Sequence, residues 1–162
     1  MTNSSEVDFV NAQLQERNLY IDHVIDLAFF IKRLIKCEVL DFSSLIRPSG
    51  QSDWQNLAVM LPYLPKSLVV AHLDQLLEGF MDTNWPGSRV LYGFLAEMDI
   101  EPLQSSFARV LRKAIDLDDS EWVWFLVQFM KDKRVNLAEF FATEIEQGID
   151  YLATKGADYA DV

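Results

Sequence analysis

A 34-residue period in the apolar residues constrains the fold of this chain more than any other feature of its sequence. Five apolar positions between residues 69 and 80 are each matched by an apolar residue 34 positions later. Within each segment these residues recur at spacings of three or four, with one adjacent pair, which predicts amphipathic helices. The matched pairs are Val69 and Leu103, Leu73 and Phe107, Leu76 and Val110, Leu77 and Leu111, and Phe80 and Ala114. A two-helix unit repeated at this period buries its apolar face only when a neighbour stacks on it, so the pattern favours a stack of helical hairpins.

The period extends into the neighbouring segments, although not at every position. It fails at two places, where Gln128 and Asp132 stand opposite Phe94 and Met98. The other matches are Val90, Leu91 and Leu95 with Trp124, Phe125 and Phe129; Leu57, Met60, Leu61 and Leu64 with Leu91, Phe94, Leu95 and Met98; and Leu103, Phe107 and Leu111 with Leu137, Phe141 and Ile145.

The rest of the chain is also predicted to be helical. Only six glycines and five prolines occur among 162 residues, and no run alternates as a strand does. We predict an all-α fold, a HEAT-like stack of about three to four antiparallel hairpins, in one domain covering residues 1–162. N-terminal helices occupy residues 1–50, the repeats 53–131 and a C-terminal capping helix 136–155. The predicted helices span about 5–16, 19–36, 53–64 and 66–82, then about ten residues from the Trp-Pro-Gly corner to 98, then 101–116, a helix that carries residues 121–134, and 136–155.

Side chains at two turns are well placed to begin the helices that follow. Asp118, Asp119 and Ser120 offer N-cap oxygens to the helix that starts near residue 120. Asn136 is predicted to cap the last helix in the same way.

The charge of the chain restricts its partners. Twenty-five acidic and fourteen basic residues give a net charge of -11. A nucleic acid requires a cationic surface, and an anionic membrane repels an acidic one, so we expect neither as a partner. A basic protein would be attracted, and its association accelerated. The alternative is that the acidic balance only keeps the protein soluble.

Several features point to a cytoplasmic protein. Cys37 is the only cysteine, so the chain forms no intramolecular disulfide. The first residues have no basic patch followed by an apolar core, unlike a secretory signal. The most apolar run, residues 19–35, contains four charged residues, which argues against a membrane span.

Two segments one repeat apart carry the signature of a family. In LDQLLEGFMDTNWPGSRVLYGFL, the residues Asp82, Asn84, Trp85 and Pro86 form an Asp-x-Asn-Trp-Pro motif. In VLRKAIDLDDSEWVWFLVQFM, an acidic turn with Asp118 and Asp119 leads into Glu121 and Trp122. These segments resemble a family of small bacterial HEAT-like domains of unknown function.

The resemblance covers about residues 53–131, roughly half of the chain, and leaves residues 1–50 outside it. Gly87 and Ser88 stand where the family has small apolar residues, and Val123 stands where a Lys is usual. The resemblance implies a binding fold rather than an enzyme. It also implies similarity to proteins encoded in toxin and immunity neighbourhoods.

Two interpretations apply to the corner Asp82–Trp85. Pro86 suits the first turn of a helix, and Asp82 or Asn84 can accept hydrogen bonds from amides there. Trp85 then covers the corner of a hairpin. The competing interpretation is a partner-binding hot spot, because Trp at a rigid corner is typical of interfaces.

The acidic turn, with Asp116, Asp118, Asp119 and Glu121, also allows more than one interpretation. Acidic residues are favourable at a helix N-terminus without any function. They would equally form a docking patch for a cationic partner. A calcium site is not supported, because the turn lacks the glycine and the bidentate glutamate at the required spacing.

No residue pattern indicates catalysis, a bound metal or a cofactor. Asp22, His23 and Asp26 are close on one helix, yet no second histidine completes a metal site, so we interpret them as a solvated face. The chain contains no Gly-x-Ser-x-Gly motif and no phosphate-binding glycine loop, and Cys37 has no His partner in sequence.

These observations together predict a non-enzymatic protein-binding module. The leading hypothesis is an immunity-type protein that occludes the functional surface of a cognate bacterial toxin, plausibly a basic one. The alternative is an adaptor or scaffold, with homodimerisation through the apolar helix 19–35 as one form of it. A weaker third is an enzyme whose site is assembled across repeats. The predicted partner-binding residues are Asp82, Asn84, Trp85, Asp116, Asp118, Asp119, Glu121 and Trp122.

Overall fold

The chain is all-α in the residues that the computed structural model describes, 2–156 and 159. No strand occurs in these residues, so the predicted fold class is confirmed. The α-helices are α1 Thr2–Leu14, α2 Ile21–Lys36, α3 Ser52–Met60, α4 Lys66–Ala71, α5 Leu73–Leu76, α6 Pro86–Ala96, α7 Ile100–Asp116, α8 Ser120–Lys131 and α9 Ala142–Ala153. Short 3-10 turns are Phe42–Leu45, Leu61–Tyr63, Leu77–Met81 and Ala138–Phe141. Over this part of the chain, none of the helices combines the length and apolar character that a membrane span requires.

The helix predicted over residues 66–82 is interrupted. It divides at His72, where φ is -116° and ψ is 13°, and its last turn is the 3-10 turn Leu77–Met81. The turn Phe42–Leu45 packs at the interruption, since the rings of Phe42 and His72 lie 5.0 Å apart. Gln75 Nε2 donates a hydrogen bond to the Ser43 carbonyl at 2.9 Å. The prediction of one continuous helix was wrong because the 3-10 turn of residues 42–45 was not foreseen.

Of the two predicted caps, one is confirmed and one is wrong. Asp119 precedes α8, and its Oδ1 accepts a hydrogen bond from the backbone N–H of Trp122 at 3.0 Å. Asn136 instead adopts a left-handed backbone with φ of 59°. Neither the Ala138–Phe141 turn nor α9 receives a side-chain cap. Asn136 tolerates positive φ better than most residues, so it forms part of the turn and does not cap the helix.

The residues that define the 34-residue period form the centre of the core. All ten members of the five matched pairs are at most 2% exposed. They belong to one buried cluster that runs from Val10 in α1 to Leu152 in α9. The core residues read from the periodicity are therefore confirmed.

Helix packing is uneven along the chain. The closest pairing is between α3 and α6, while α8 packs on α9, on α7 and on the Leu77–Met81 turn. The backbones of α6 and α8 are not packed closely in this way. A groove therefore separates these two helices.

Candidate protein-binding surface

The corner Asp82–Trp85 is built by short local bonds. Asp82 Oδ1 accepts a hydrogen bond from the backbone N–H of Asn84 at 2.8 Å, and Pro86 is the first residue of α6. Trp85 is half-buried and packs against the core, while Asn84 is exposed. The predicted helix start at Pro86 is confirmed, although Asp82 closes the turn before α6 instead of capping the helix.

Gly87 and Ser88 contact the indole of Trp54, which is fully buried in α3. Trp54 Nε1 donates to Ser88 Oγ at 3.1 Å, and Ser88 Oγ donates to the Gly79 carbonyl. A Cβ added at Gly87 would lie 2.6 Å from Trp54 Cδ1. At Gly79 it would lie 2.3 Å from Trp54 Cζ2. The absence of a side chain at Gly87 and the hydroxyl of Ser88 are thus both required by this tryptophan.

Asp118 and Asp119 in the acidic turn bind other parts of the chain. Asp119 caps α8, as described above. Asp118 has a left-handed backbone with φ of 57°, and its Oδ1 accepts bonds from Lys155 Nζ and, at 2.8 Å, from the Tyr151 hydroxyl. The bond from Lys155 and then that from Tyr151 lower the pKa of Asp118 below its ordinary value. Asp119 therefore connects α8 to the turn, and Asp118 connects α9 to it.

Asp116 and Glu121 differ from their neighbours in the acidic turn. Both are exposed, and neither takes part in an ion pair or side-chain hydrogen bond within residues 2–156 and 159. Their charges face solvent without compensation from a bonded cation. These two carboxylates are exposed and unpaired within the described residues, whereas the exposed carboxylate of Asp118 is already bonded to Lys155.

Trp122 does not lie on the surface. Its side chain has no exposed area, and its Nε1 donates to the Leu77 carbonyl at 3.0 Å. Lys113 Nζ lies 5.8 Å from the centre of its ring. Direct contact between this side chain and a partner is inconsistent with such burial, so Trp122 is corrected from a binding residue to a core residue.

The groove between α6 and α8 has a volume of about 860 Å³. Tyr92 from α6 and Trp124 and Phe125 from α8 provide its aromatic surface, and all three are half-buried. Thr83 and Asn84 from the corner line it as well. The groove therefore adjoins the corner that the sequence singled out.

The charged lining of the groove is predominantly basic. Arg89, Lys131 and Arg134 line it together with one carboxylate, Asp132. Asp132 accepts a hydrogen bond from the Tyr92 hydroxyl and pairs with Arg134 at 2.7 Å. The bonds from Arg134 and Tyr92 hold the pKa of Asp132 well below its usual range. Burial first, and then the bond to Asp132, raise the pKa of the Tyr92 hydroxyl.

The sequence contained a signal for this groove. Trp122, Val123, Trp124 and Phe125 are four successive large apolar residues, and a helix cannot turn all four to one side. Trp122 and Val123 are buried, while Trp124 and Phe125 remain half-buried. Gln128 and Asp132, where the 34-residue match fails, also line the groove.

Residues considered for chemistry are not assembled into a site. Asp22, His23 and Asp26 are exposed on α2, and Cys37 is an exposed free thiol. In the part of the chain that the structure describes, no group of three or more His, Cys, Asp or Glu side chains is placed to hold a metal ion.

Comparisons of this chain with models of protein families, with curated proteins and with solved structures found no match.

Proposed function

We propose that this chain is a non-enzymatic, protein-binding module of the HEAT-like type, and that it acts as an immunity-type protein against a basic toxin. The observation that carries the proposal is the exposed pair Asp116 and Glu121. Their uncompensated carboxylates lie at one turn of a chain whose net charge is -11. A cationic protein surface complements this arrangement better than any small-molecule chemistry does.

Bonds between helices support the repeat architecture. The ion pair of Arg109 with Asp74 and that of Lys113 with Glu78 each join residues 35 apart in sequence. The hydrogen bond from Trp54 to Ser88 joins residues 34 apart. Separations near the sequence period are expected when successive hairpins stack on one another.

The proposed mechanism is steric occlusion. Long-range attraction by the acidic turn increases the association rate, and the contact then covers the functional surface of the toxin. Exposed charges contribute more to the association rate and to its salt dependence than to affinity. Neutralisation in this mechanism requires no chemical step by the module.

The acidic-turn mechanism is tested by the double charge reversal Asp116→Lys with Glu121→Lys. Tagged protein is used to capture its partner from the native lysate, and the purified partner is then used for kinetics. We expect the association rate to fall by about tenfold or more at low salt and the difference to shrink at high salt. Stopped-flow measurements over a range of salt concentrations provide this comparison.

The matched control is Asp8→Lys with Glu16→Lys, which makes the same change in net charge at exposed positions of α1 and the chain that follows it. Equal effects of the two double variants would show that only net charge matters and would contradict a binding role for the turn. Reversal at Asp118 and Asp119 is unsuitable, because it would break the bond to Lys155 and the cap of α8. For the toxin itself, failure of co-expression to relieve its growth inhibition would rule out the immunity role.

A second candidate function is a self-associating adaptor, favoured by the outer face of α2. Ile21 and Phe29 on this helix are 53% and 68% exposed, which is unusual for large apolar residues. A homodimer would bury them. Sedimentation as a monomer at the concentrations at which the partner binds would exclude this version.

A further inference from the structure

The groove between α6 and α8 exists because this pair of helices does not pack as α3 and α6 do. Gly87 and Ser88 let α6 approach Trp54 closely. One period later the equivalent residues are Glu121 and Trp122, and Trp122 packs against Leu77 instead. The side chains at these equivalent positions therefore leave the space between α6 and α8 open.

A second difference between equivalent residues also widens the space between α6 and α8. Ala58 of α3 is buried, and its equivalent one period later in α6 is Tyr92. The Tyr92 ring packs 4.8 Å from that of Phe129 and 5.8 Å from that of Phe80. Its hydroxyl is bound to Asp132 at the C-terminal end of α8. These contacts hold the wall of the groove in place before any ligand arrives, which lowers the entropy lost on binding.

The lining of the groove is positively charged, although the molecule as a whole is negatively charged. Three cations and one carboxylate line it, in a chain with twenty-five acidic and fourteen basic residues. The one carboxylate, Asp132, is already paired with Arg134. Arg89 is exposed and Lys131 half-buried, and neither forms an ion pair within the described residues. Their positive charges are available to an anionic ligand.

The aromatic surface of the groove complements these cations. The rings of Trp124 and Phe125 are T-shaped, 4.9 Å apart, and both are half-buried. The indole N–H of Trp124 donates no hydrogen bond to another described residue, unlike those of Trp54 and Trp122. Trp, Tyr and Arg are the residue types that contribute most to binding energy at protein interfaces.

We propose that the α6–α8 groove binds a short acidic segment of another protein, with an aromatic residue between its carboxylates. The aromatic side chain packs on Trp124 and Phe125, and the carboxylates pair with Arg89 and Lys131. A guanidinium matches a carboxylate in two-point geometry. A peptide fits better than a nucleic acid, because the net charge of -11 on the chain repels a long phosphate backbone. This proposal goes beyond the acidic-turn function and uses different residues.

The experiment is a selection from a library of random peptides displayed on phage, with the full chain immobilised as the target. The expected result is enrichment of sequences that combine Asp or Glu with Trp, Tyr or Phe. The strongest sequence is then synthesised with a fluorophore, and its affinity is measured by fluorescence anisotropy. We expect Arg89→Glu with Lys131→Glu to weaken binding by about 100-fold, because two charge-assisted contacts become repulsive.

The matched control is Arg17→Glu with Arg112→Glu, an equal charge change at two exposed cations that do not line the groove. This control should bind the peptide with an affinity close to that of the wild type, and circular dichroism verifies that both double variants are folded. No enrichment, enrichment of basic sequences, or equal loss in the two double variants would overturn the proposal. So would displacement of the peptide by a single-stranded oligonucleotide at lower concentration than by unlabelled peptide. The acidic-turn variants should leave peptide affinity unchanged, so the two proposals fail independently.

Discussion

At the scale of single residues, the contact of Trp54 with the corner restricts which side chains the neighbouring helix can carry. Its indole occupies space that a Cβ would fill at both Gly79 and Gly87, and its only polar atom is satisfied by Ser88. Tightly packed interiors accommodate added atoms poorly. The side chains that can follow Pro86 are therefore restricted by a residue in another helix, more than thirty positions earlier.

Replacement of Gly87 by Ala should destabilise the protein by about 1–3 kcal/mol, because the new methyl group overlaps Trp54 and the backbone nitrogen of Gln55. Gly93→Ala in the same helix is the matched control, since a Cβ there meets no atom within 4 Å. That control should stabilise the protein by about 0.5–1 kcal/mol through helix propensity. Urea denaturation followed by circular dichroism measures both changes. If the two variants shift the midpoint in the same direction, the close contact is not a constraint.

At the scale of helices, α6 and α8 are joined across the groove by a bond network. The Tyr92 hydroxyl donates to Asp132, and Arg134 pairs with the same carboxylate. The network lies where close backbone packing is absent. It adds polar bonds to the ring contact of Tyr92 with Phe129, which also joins these two helices.

This network predicts a pH-dependent contribution to stability. The pKa of Asp132 in the folded chain lies below the value of about 3.9 expected when unfolded. The unfolded chain thus binds more protons at acidic pH, so the contribution is present above about pH 4 and is lost as the pH falls through the folded pKa. Asp132→Asn should be less stable than the wild type at pH 7, and this difference should shrink between about pH 4 and pH 2.

The measurement for Asp132→Asn is the free energy of unfolding in urea at several pH values. Asp116→Asn is the control, because the exposed Asp116 carboxylate forms no ion pair within the described residues. It should change stability by less than about 0.5 kcal/mol at pH 7. A difference between the wild type and Asp132→Asn that is constant with pH would contradict the role assigned to this carboxylate.

At the scale of the whole molecule, the buried cluster is continuous from α1 to α9. Helical-repeat chains with weak interfaces unfold in steps, because each unit contacts only its neighbours. Here α8 reaches back to the Leu77–Met81 turn, and α7 contacts both that turn and α9. These contacts link α7, α8, α9 and the Leu77–Met81 turn through a shared core.

We therefore expect unfolding in urea to be a single cooperative transition. Tryptophan fluorescence reports on the four tryptophans, of which Trp54 in α3 and Trp122 in α8 are fully buried, whereas circular dichroism reports on all helices. The two transitions should superimpose with one midpoint. A fluorescence change that precedes the loss of helix would show that one part of the helical core unfolds by itself.

Periodicity was sufficient to predict the helices and the core, because helical spacing and burial are local properties that each segment expresses by itself. The pairs from Val69 with Leu103 to Phe80 with Ala114 are buried as expected. The break at His72, where the segment 42–45 packs, and the left-handed backbone of Asn136 were both missed.

The distribution of surface and interior among the candidate site residues required the three-dimensional structure. Local sequence shows that residues 116–122 are acidic and aromatic, but it does not show which side chains bind elsewhere in the chain. Folding brings Lys155 to Asp118 and Leu77 to Trp122, and it leaves Asp116 and Glu121 exposed. The groove likewise arises from a mismatch between two helices one period apart, because packing depends on the shapes of both surfaces and not on the apolar pattern of either.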